Sequence, residues 1–407
     1  MRVAIFTESF HDINGIGRTY QNMAEYANRK GYHLDIFIPG NGTVENIGKV
    51  TIYNVPVQVP IEYYPGMVFD AVTVPRHIFN RLPEMIVKAF IQNGYDVAML
   101  ATQGSMGLYA ISASRKFNVP LVGSYHTQVP LFAEKRVEAL LKHPKGPLSF
   151  LPRLTKEATS LVERYYYNKT LFNLAPTDMV CTNIGERFGK PTKVFRRGID
   201  IDRFHPNKAR KKDGRTVIIV SRIAVEKNLD MLEGFGKLLP DARLVIVGDG
   251  PDKARLEKLI PEAEFKGFLK GEELAIEYAS ADLFVFPSIT ETYGNVVQEA
   301  MASGLPVILD KSGPSSELVR DGIDGYHYEN RKQMFEYMRK VLGSPPLLER
   351  MSKNAREAME ARTWDNVFDS VYEGYVKAVN MYNEQPQNFR EKWETLLDNL
   401  KKRSAKT

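Results

Sequence analysis

The chain is sparing with several things a protein can be built on. It has one cysteine, Cys181, in 407 residues. No internal disulfide can form, and the cytoplasm is the natural compartment. Cys181 lies in the apolar run DMVC, where a buried and inert thiol is expected. Long unbroken apolar runs are also missing. The opening MRVAIF is too short for the hydrophobic segment of a signal peptide. The stretch VTIYNVPVQVPIEYYPGMVFDAVTVP is cut by prolines and carries Glu62 and Asp70, which makes it a poor membrane span. No Asp-x-Asp metal motif follows a strand in the C-terminal half, so no metal site is expected. The third glycine of a dinucleotide fingerprint is absent as well. Gly15 and Gly17 are followed by Tyr20, and no acid closes the second strand, IFIPG. An NAD-dependent dehydrogenase is thereby set aside.

What is present is an ordinary globular composition, with 43% hydrophobic and 26% charged residues. The length fits two domains with room for a core in each. The net charge of +6 suits anionic substrates or a membrane surface. No nucleic-acid partner is expected.

Short apolar runs alternate with helical patterns. RVAIF, YHLDIFIP, DVAMLAT and PLVGSYHT read as buried strands, with IGRTYQNMAEYANRKG and LYAISASRKFN as helices between them. This is the pattern of a parallel sheet covered on both faces. It restarts after residue 214 with TVIIVSRI, ARLVIVGDG, DLFVFPS and LPVILD. Helices are read at NLDMLEGFGKLL, DKARLEKLI, GEELAIEYASA and after Glu291. RRGIDIDRFHPNKARKKDGR has the charge, Gly and Pro of a linker. The expected division is residues 1–203 and 204–363, two doubly wound Rossmann-like domains facing each other across a cleft. A helix over about 364–382 is expected to pack back on the first domain, and 383–407 to form a helical, charged tail. Ligands of such folds bind at the carboxyl ends of the strands.

The residues at those strand ends have a chemistry in common. SRIAVEKN puts Arg222 and Lys227 on one loop, where they can clamp a diphosphate or stand as a solvated pair. SITETYGNVVQEAMASG opens a helix whose unpaired N–H groups near Gly294, Asn295 and Val296 suit a phosphate. Glu291 precedes that helix, and Glu299 lies inside it among small and apolar neighbours. Carboxylates at these places can accept sugar hydroxyls. His126 ends the strand of SYHT and is either a bonded core residue or a group facing the cleft.

SRIAVEKN, VGDGP, FKGFL and SITETYGNVVQEAMASGLPVILDKSGPSSELVRDGIDGY resemble, in order and spacing, the retaining glycosyltransferases of the GT-B fold in their large family 4. NGIGRT, SYHT and RRGIDIDRFHP match the same family in outline. TYGNVVQEAMASG resembles members that move mannose or glucose to lipids or small acceptors.

The resemblance implies transfer of a hexose from a nucleotide-diphosphate sugar, of the GDP-mannose or UDP-glucose type, with no further cofactor. It implies that Arg222 and Lys227 hold the diphosphate, Glu291 the donor sugar and Glu299 the ribose. Gly294, Asn295 and Val296 would give backbone contacts to phosphate or sugar. The base would lie near Gly267 and Phe268. His126 would face the sugar from the other domain, and Gly15 and Gly17 would let the first loop approach the phosphates. NGIG stands where many relatives have two adjacent glycines. A nucleotide-sugar epimerase, a glycogen-synthase-like polymerase and a non-catalytic nucleotide-sugar-binding protein are the alternatives.

Residues 131–170 interleave Lys135, Arg136, Lys142, Lys145, Arg153, Lys156 and Arg164 with Leu and Phe. They read either as a solvated helix pair or as a peripheral contact with an anionic membrane on its inner face. A lipid or lipid-linked acceptor is the expectation on the second reading.

Overall fold

The computed structural model describes residues 1–11, 15–64, 67–141, 148–210 and 214–384. The expected tail from 385 to 407, residues 12–14 of the first loop, and Lys142 and Lys145 lie outside the described residues. The first sheet has eight strands, in the order Thr192–Val194, Asn173–Ala175, Leu121–Ser124, Val97–Leu100, Arg2–Phe6, His33–Gly40, Val50–Pro56, Val44–Ile47. Neighbours are parallel except the last, which returns antiparallel on Val50–Pro56. The central strands are buried on both faces, as an unbroken VAML or VAIF requires.

The second sheet runs Glu264–Gly267, Ala242–Val247, Arg215–Val220, Leu283–Phe286, Val307–Asp310, Gly325–Tyr328, all parallel. Its strand order reverses between Arg215–Val220 and Leu283–Phe286. The first sheet reverses between Arg2–Phe6 and Val97–Leu100. Such reversals open a crevice beyond the strands' carboxyl ends, so the loops after these four strands frame whatever the protein binds.

Beyond Thr363, whose side chain caps the next helix, Trp364–Asn383 crosses back to the first domain. Phe368, Val371, Tyr372, Tyr375 and Ala378 join Val3, Ile5 and Tyr26 in one core. Each large side chain buried there contributes roughly 1.5–3 kcal/mol. That far exceeds the ion pairs Arg29–Asp365 and Lys30–Asp369 along its exposed flank.

One sequence expectation changes. Asn228–Leu239 is not one helix but a three-ten turn, Leu229–Leu232, and a short helix, Phe235–Leu238. Asn228 and Gly234 both take left-handed backbone, at φ 54° and 70°, and each restarts the chain direction. The proline-cut stretch after Val50 is a strand, a two-stranded hairpin (Pro60–Tyr64 with Met67–Asp70) and the start of a helix. Cys181 is buried, and burial pushes its thiol up to about 11, so it is unreactive.

At the first sheet's reversal, the Glu8 carboxylate accepts the Met106 N–H at 2.6 Å, and the Glu8 N–H donates to Thr102 Oγ1 at 2.9 Å. Burial raises its carboxyl to about 7, against the lowering pull of the Met106 N–H. Its folded value lies above the ordinary 4.5, so ionising Glu8 works against folding as pH rises from 4.5 through 7. Glu8→Gln removes that penalty. Relative to wild type, the variant should gain about 3 kcal/mol between pH 4.5 and pH 8. Urea unfolding at the two pH values measures this, and a pH-independent difference would contradict it.

Candidate active site

The second domain supplies most of the site. Beyond Arg215–Val220, the turn Val225–Lys227 ends at Asn228, whose side-chain amide donates to the Pro287 carbonyl at 3.2 Å. This stitches the loop to the end of Leu283–Phe286, across the strand reversal. It brings Lys227 Nζ onto Glu291 Oε1, with the lysine side chain only 12% exposed. Arg222, half-exposed, pairs with Glu226. Two cations and two carboxylates thus share one strand-end crevice. A diphosphate is a stronger partner for such cations than a single carboxylate, because it offers more acceptors to each.

Asn295–Ala302 begins at Gly294, which has φ 90°. A Cβ there would lie 2.6 Å from Ser315 Oγ, so the position needs glycine for both conformation and space. No side chain caps this helix, which leaves its first N–H groups and positive dipole end toward the crevice. Glu299 is buried on the same helix. Its Oε2 accepts the Tyr278 hydroxyl at 3.2 Å, and its Oε1 meets Arg18 Nη1, from the first domain, at 3.2 Å. Burial raises its carboxyl above the ordinary value. Arg18 and the Tyr278 hydroxyl oppose that.

Several other contacts close the two domains on each other. A Cβ on Gly15 would stand 2.8 Å from both the Arg197 guanidinium and the Asn295 side chain, so a larger residue would push those side chains aside. Thr292 donates to the His126 carbonyl at 2.7 Å, and the Tyr293 hydroxyl to the Arg197 carbonyl at 3.3 Å. Glu317 accepts the N–H groups of Asp178 and Met179, capping a first-domain helix from the second domain.

His126 takes the first of its two sequence readings, a bonded core residue. Its Nε2 is 2.8 Å from the Tyr20 hydroxyl and 2.9 Å from Ser124 Oγ, and its Nδ1 is 3.4 Å from Arg197 Nη2. An arginine can only donate, so Nδ1 accepts and the proton belongs on Nε2. Burial and the Arg197 charge hold the ring well below its ordinary value, so it is neutral. The ring is locked inside the first domain, and it is the His126 carbonyl that reaches the second.

Gly17 is buried within helix Gly15–Lys30, and Val296 is half-buried beside Asn295. Gly267 and the exposed Phe268 end the edge strand, two strands away from the reversal. The structure therefore joins Lys227 with Glu291, Gly15 with Asn295, and Glu299 with Arg18, and leaves Phe268 apart. Sequence reasoning missed Arg197 and Tyr278, and gave Arg18 no partner. Arg197 is buried, donating to the Gly15 carbonyl and to Thr19 Oγ1, yet in RRGIDIDRF it reads as linker charge.

The basic amphipathic stretch forms two packed helices, Val129–Leu140 and Leu151–Tyr167. On the second, Phe150, Leu154, Leu161, Val162 and Tyr165 are exposed, at spacings that place them along one side. Ile78 and Phe79 are exposed too, next to His77, which bonds Tyr165. Exposed Arg153, Glu157 and Arg164 lie along one edge of the stripe, whereas Lys156 is paired with Glu134. No helix among the described residues is long and apolar enough to cross a membrane.

Comparisons with known proteins agree with this layout. The family described as Glycosyltransferase Family 4 matches residues 13–203, and that described as Glycosyl transferases group 1 matches residues 200–358. The chain is 32% identical to a GDP-mannose-dependent alpha-mannosyltransferase of Mycobacterium tuberculosis, over 78% of this chain and 81% of that one. It is 25% identical to an alpha-monoglucosyldiacylglycerol synthase of Acholeplasma laidlawii, over 87% of this chain and 92% of that one. Among solved structures, sucrose-phosphate synthase from Thermosynechococcus elongatus has the same fold. It aligns with a TM-score of 0.72 at 18% identity, over 93% of this chain and 98% of that one.

Proposed function

Because the chain belongs to the family 4 glycosyltransferases of the GT-B fold, we propose that it moves a hexose from a nucleoside-diphosphate sugar to a hydroxyl of a membrane lipid or lipid-linked glycan. The transfer retains the anomeric configuration and uses no metal. The observation that carries this reading is the set gathered at the second sheet's reversal. Lys227 pairs with Glu291 there, Arg222 lies on the loop that carries Lys227, and an uncapped helix N-terminus follows Glu291. As the glycosidic bond breaks, the leaving diphosphate gathers negative charge, and fixed cations and N–H dipoles meet it without reorganising. Glu291 holds the sugar, Glu299 the ribose, and the base lies toward Gly267 and Phe268. Asn295 and Gly15 bring the two loops against the phosphates. His126 holds Thr292, next to Glu291, through its carbonyl. The acceptor hydroxyl attacks on the face from which the diphosphate leaves.

A GDP-mannose or UDP-glucose type donor is favoured by the names of the relatives, which act with GDP-mannose or make a glucosyldiacylglycerol. The lipid acceptor is favoured by those names and by the exposed apolar stripe with Arg153 and Arg164 along one edge. Such a surface lowers its free energy by lying on an anionic bilayer.

The test is one incubation with separate nucleotide sugars, excess chelator, and anionic vesicles containing diacylglycerol. A single hexose transferred to lipid from one donor is the expected product. Activity lost in chelator and restored by Mg²⁺ or Mn²⁺ would overturn the metal-free mechanism. Epimerised free sugar or a long glucan would replace the reading by one of the other chemistries of this fold.

A further inference from the structure

We propose that Arg18 is a positioning residue for the donor nucleotide, reaching across the cleft to hold Glu299 ionised and aimed at the ribose. The proposal rests on the reading of Glu299 as the ribose ligand and adds a partner from the opposite domain. Arg18 stands on the first helix, Gly15–Lys30, three residues after the glycine that presses against Asn295. Its Nη1 is 3.2 Å from Glu299 Oε1. The two ends differ in setting, with the arginine side chain 40% exposed and the glutamate side chain 8%. A carboxylate this far from water tends to take up a proton. Three groups face it from the elements packed around it: Arg18, the Tyr278 hydroxyl of helix Gly271–Ala279, and Arg203 of the connecting segment. Of these, Arg18 opposes protonation most, by charge and by hydrogen bond, whereas Tyr278 is neutral and only donates. Arg203 acts by charge alone and is paired with Asp200 at 3.3 Å.

The chemistry of the ribose makes this matter. A ribose diol donates two hydrogen bonds, which an ionised carboxylate accepts at both oxygens. A protonated carboxyl gives up one of those acceptors to its own proton. The ionised form is the better ligand, and it is maintained from the other domain. The ribose grip is therefore complete only when the domains are closed. By linkage, the nucleotide then favours the closed form by the same factor by which closure strengthens its binding.

The sign of the pH effect follows. Removing Arg18 moves the protonation of Glu299 to higher pH, so nucleotide binding should fall as pH drops, starting nearer neutrality than in wild type. Calorimetry of GDP and UDP binding to the full chain, from about pH 5.5 to 8.5, reads this. Arg18→Gln should weaken binding about tenfold near pH 7.5, as one charge-assisted contact does, and the loss should widen toward pH 5.5. Arg18→Lys keeps the charge and should restore most of the affinity and the wild-type pH profile. In a Glu299→Gln background, Arg18→Gln should add no further pH dependence. Wild-type affinity and pH profile in Arg18→Gln would overturn the proposal. So would tighter binding, which would mean that Arg18 competes with the ribose. If Arg18→Gln is normal and Glu299→Gln is weak, only the role of Arg18 falls. If Glu299→Gln binds as wild type does, the ribose reading falls and takes this proposal with it.

Discussion

Lys227→Ala is expected to slow sugar transfer by about a hundredfold to a thousandfold, the range typical of removing one preorganised group that meets transition-state charge. Most of that loss should appear in kcat, because the charge on the leaving diphosphate grows as the bond breaks. The variant does more than delete a cation. Lys227 Nζ lies on Glu291 Oε1, and its loop is tied to Pro287 by Asn228. Without the lysine, the Glu291 carboxylate faces the diphosphate uncompensated, and like charges at such range disfavour both binding and departure. Arg222→Ala should be milder. Arg222 is more exposed than Lys227 and pairs with Glu226, not with the carboxylate assigned to the sugar. Steady-state rates across donor concentration, with the lysine and arginine variants side by side, separate the two. A Lys227→Ala enzyme with a kcat within about threefold of wild type would show that Arg222 and the helix N-terminus suffice to neutralise the leaving group.

How much of this could be read from the residue string depends on whether a feature is made within one strand-loop-helix unit. Arg222, Lys227, Glu291 and Asn295 were legible because each follows a strand whose apolar run marks it, and strand ends face the crevice. Glu299 was legible from its company, since a carboxylate among VVQ and AMASG must have a partner. What that partner is could not be read, because Arg18 comes from 281 positions away in another domain. Arg197 was hidden for the same reason. Its burial comes from Gly15, Thr19 and Tyr293 closing over a segment that, taken alone, has a linker's composition. Which of its two readings the His126 ring takes was hidden because its direction depends on Tyr20, and the 20–126 contact exists only once the first helix has packed. In the fold, strands of three or four residues, such as Asn173–Ala175, Thr192–Val194 and Gly325–Tyr328, carry too few side chains to show a period. The helix expected over Asn228–Leu239 failed at Gly234, where a left-handed residue outweighs an apolar spacing that would otherwise suit a helix.

The two glutamates of SITETYGNVVQEAMASG should fail differently when neutralised. Glu299→Gln should weaken binding of the free nucleoside diphosphate, because the ribose is present with or without the sugar. Glu291→Gln should leave that binding nearly unchanged while transfer falls steeply, because only the complete donor carries the hydroxyls it holds. Each lost charge-assisted hydrogen bond costs about 1.5–3 kcal/mol, or roughly tenfold to over a hundredfold. The surroundings sharpen the contrast. Glu299 is buried between Arg18 and Tyr278, so a glutamine there must satisfy an arginine with a neutral oxygen and also lose the ribose. Glu291 is more exposed and pairs with Lys227, so its replacement leaves that lysine available to the diphosphate and costs no affinity for the free nucleotide. Calorimetry with the diphosphate, beside rates with the sugar nucleotide, reads both effects. Two variants that bind the diphosphate normally and transfer at near wild-type rates would make both carboxylates structural charge and the crevice a site for something other than a nucleotide sugar. A loss of diphosphate binding in Glu291→Gln, with Glu299→Gln unaffected, would exchange their roles and turn the donor end for end in the cleft.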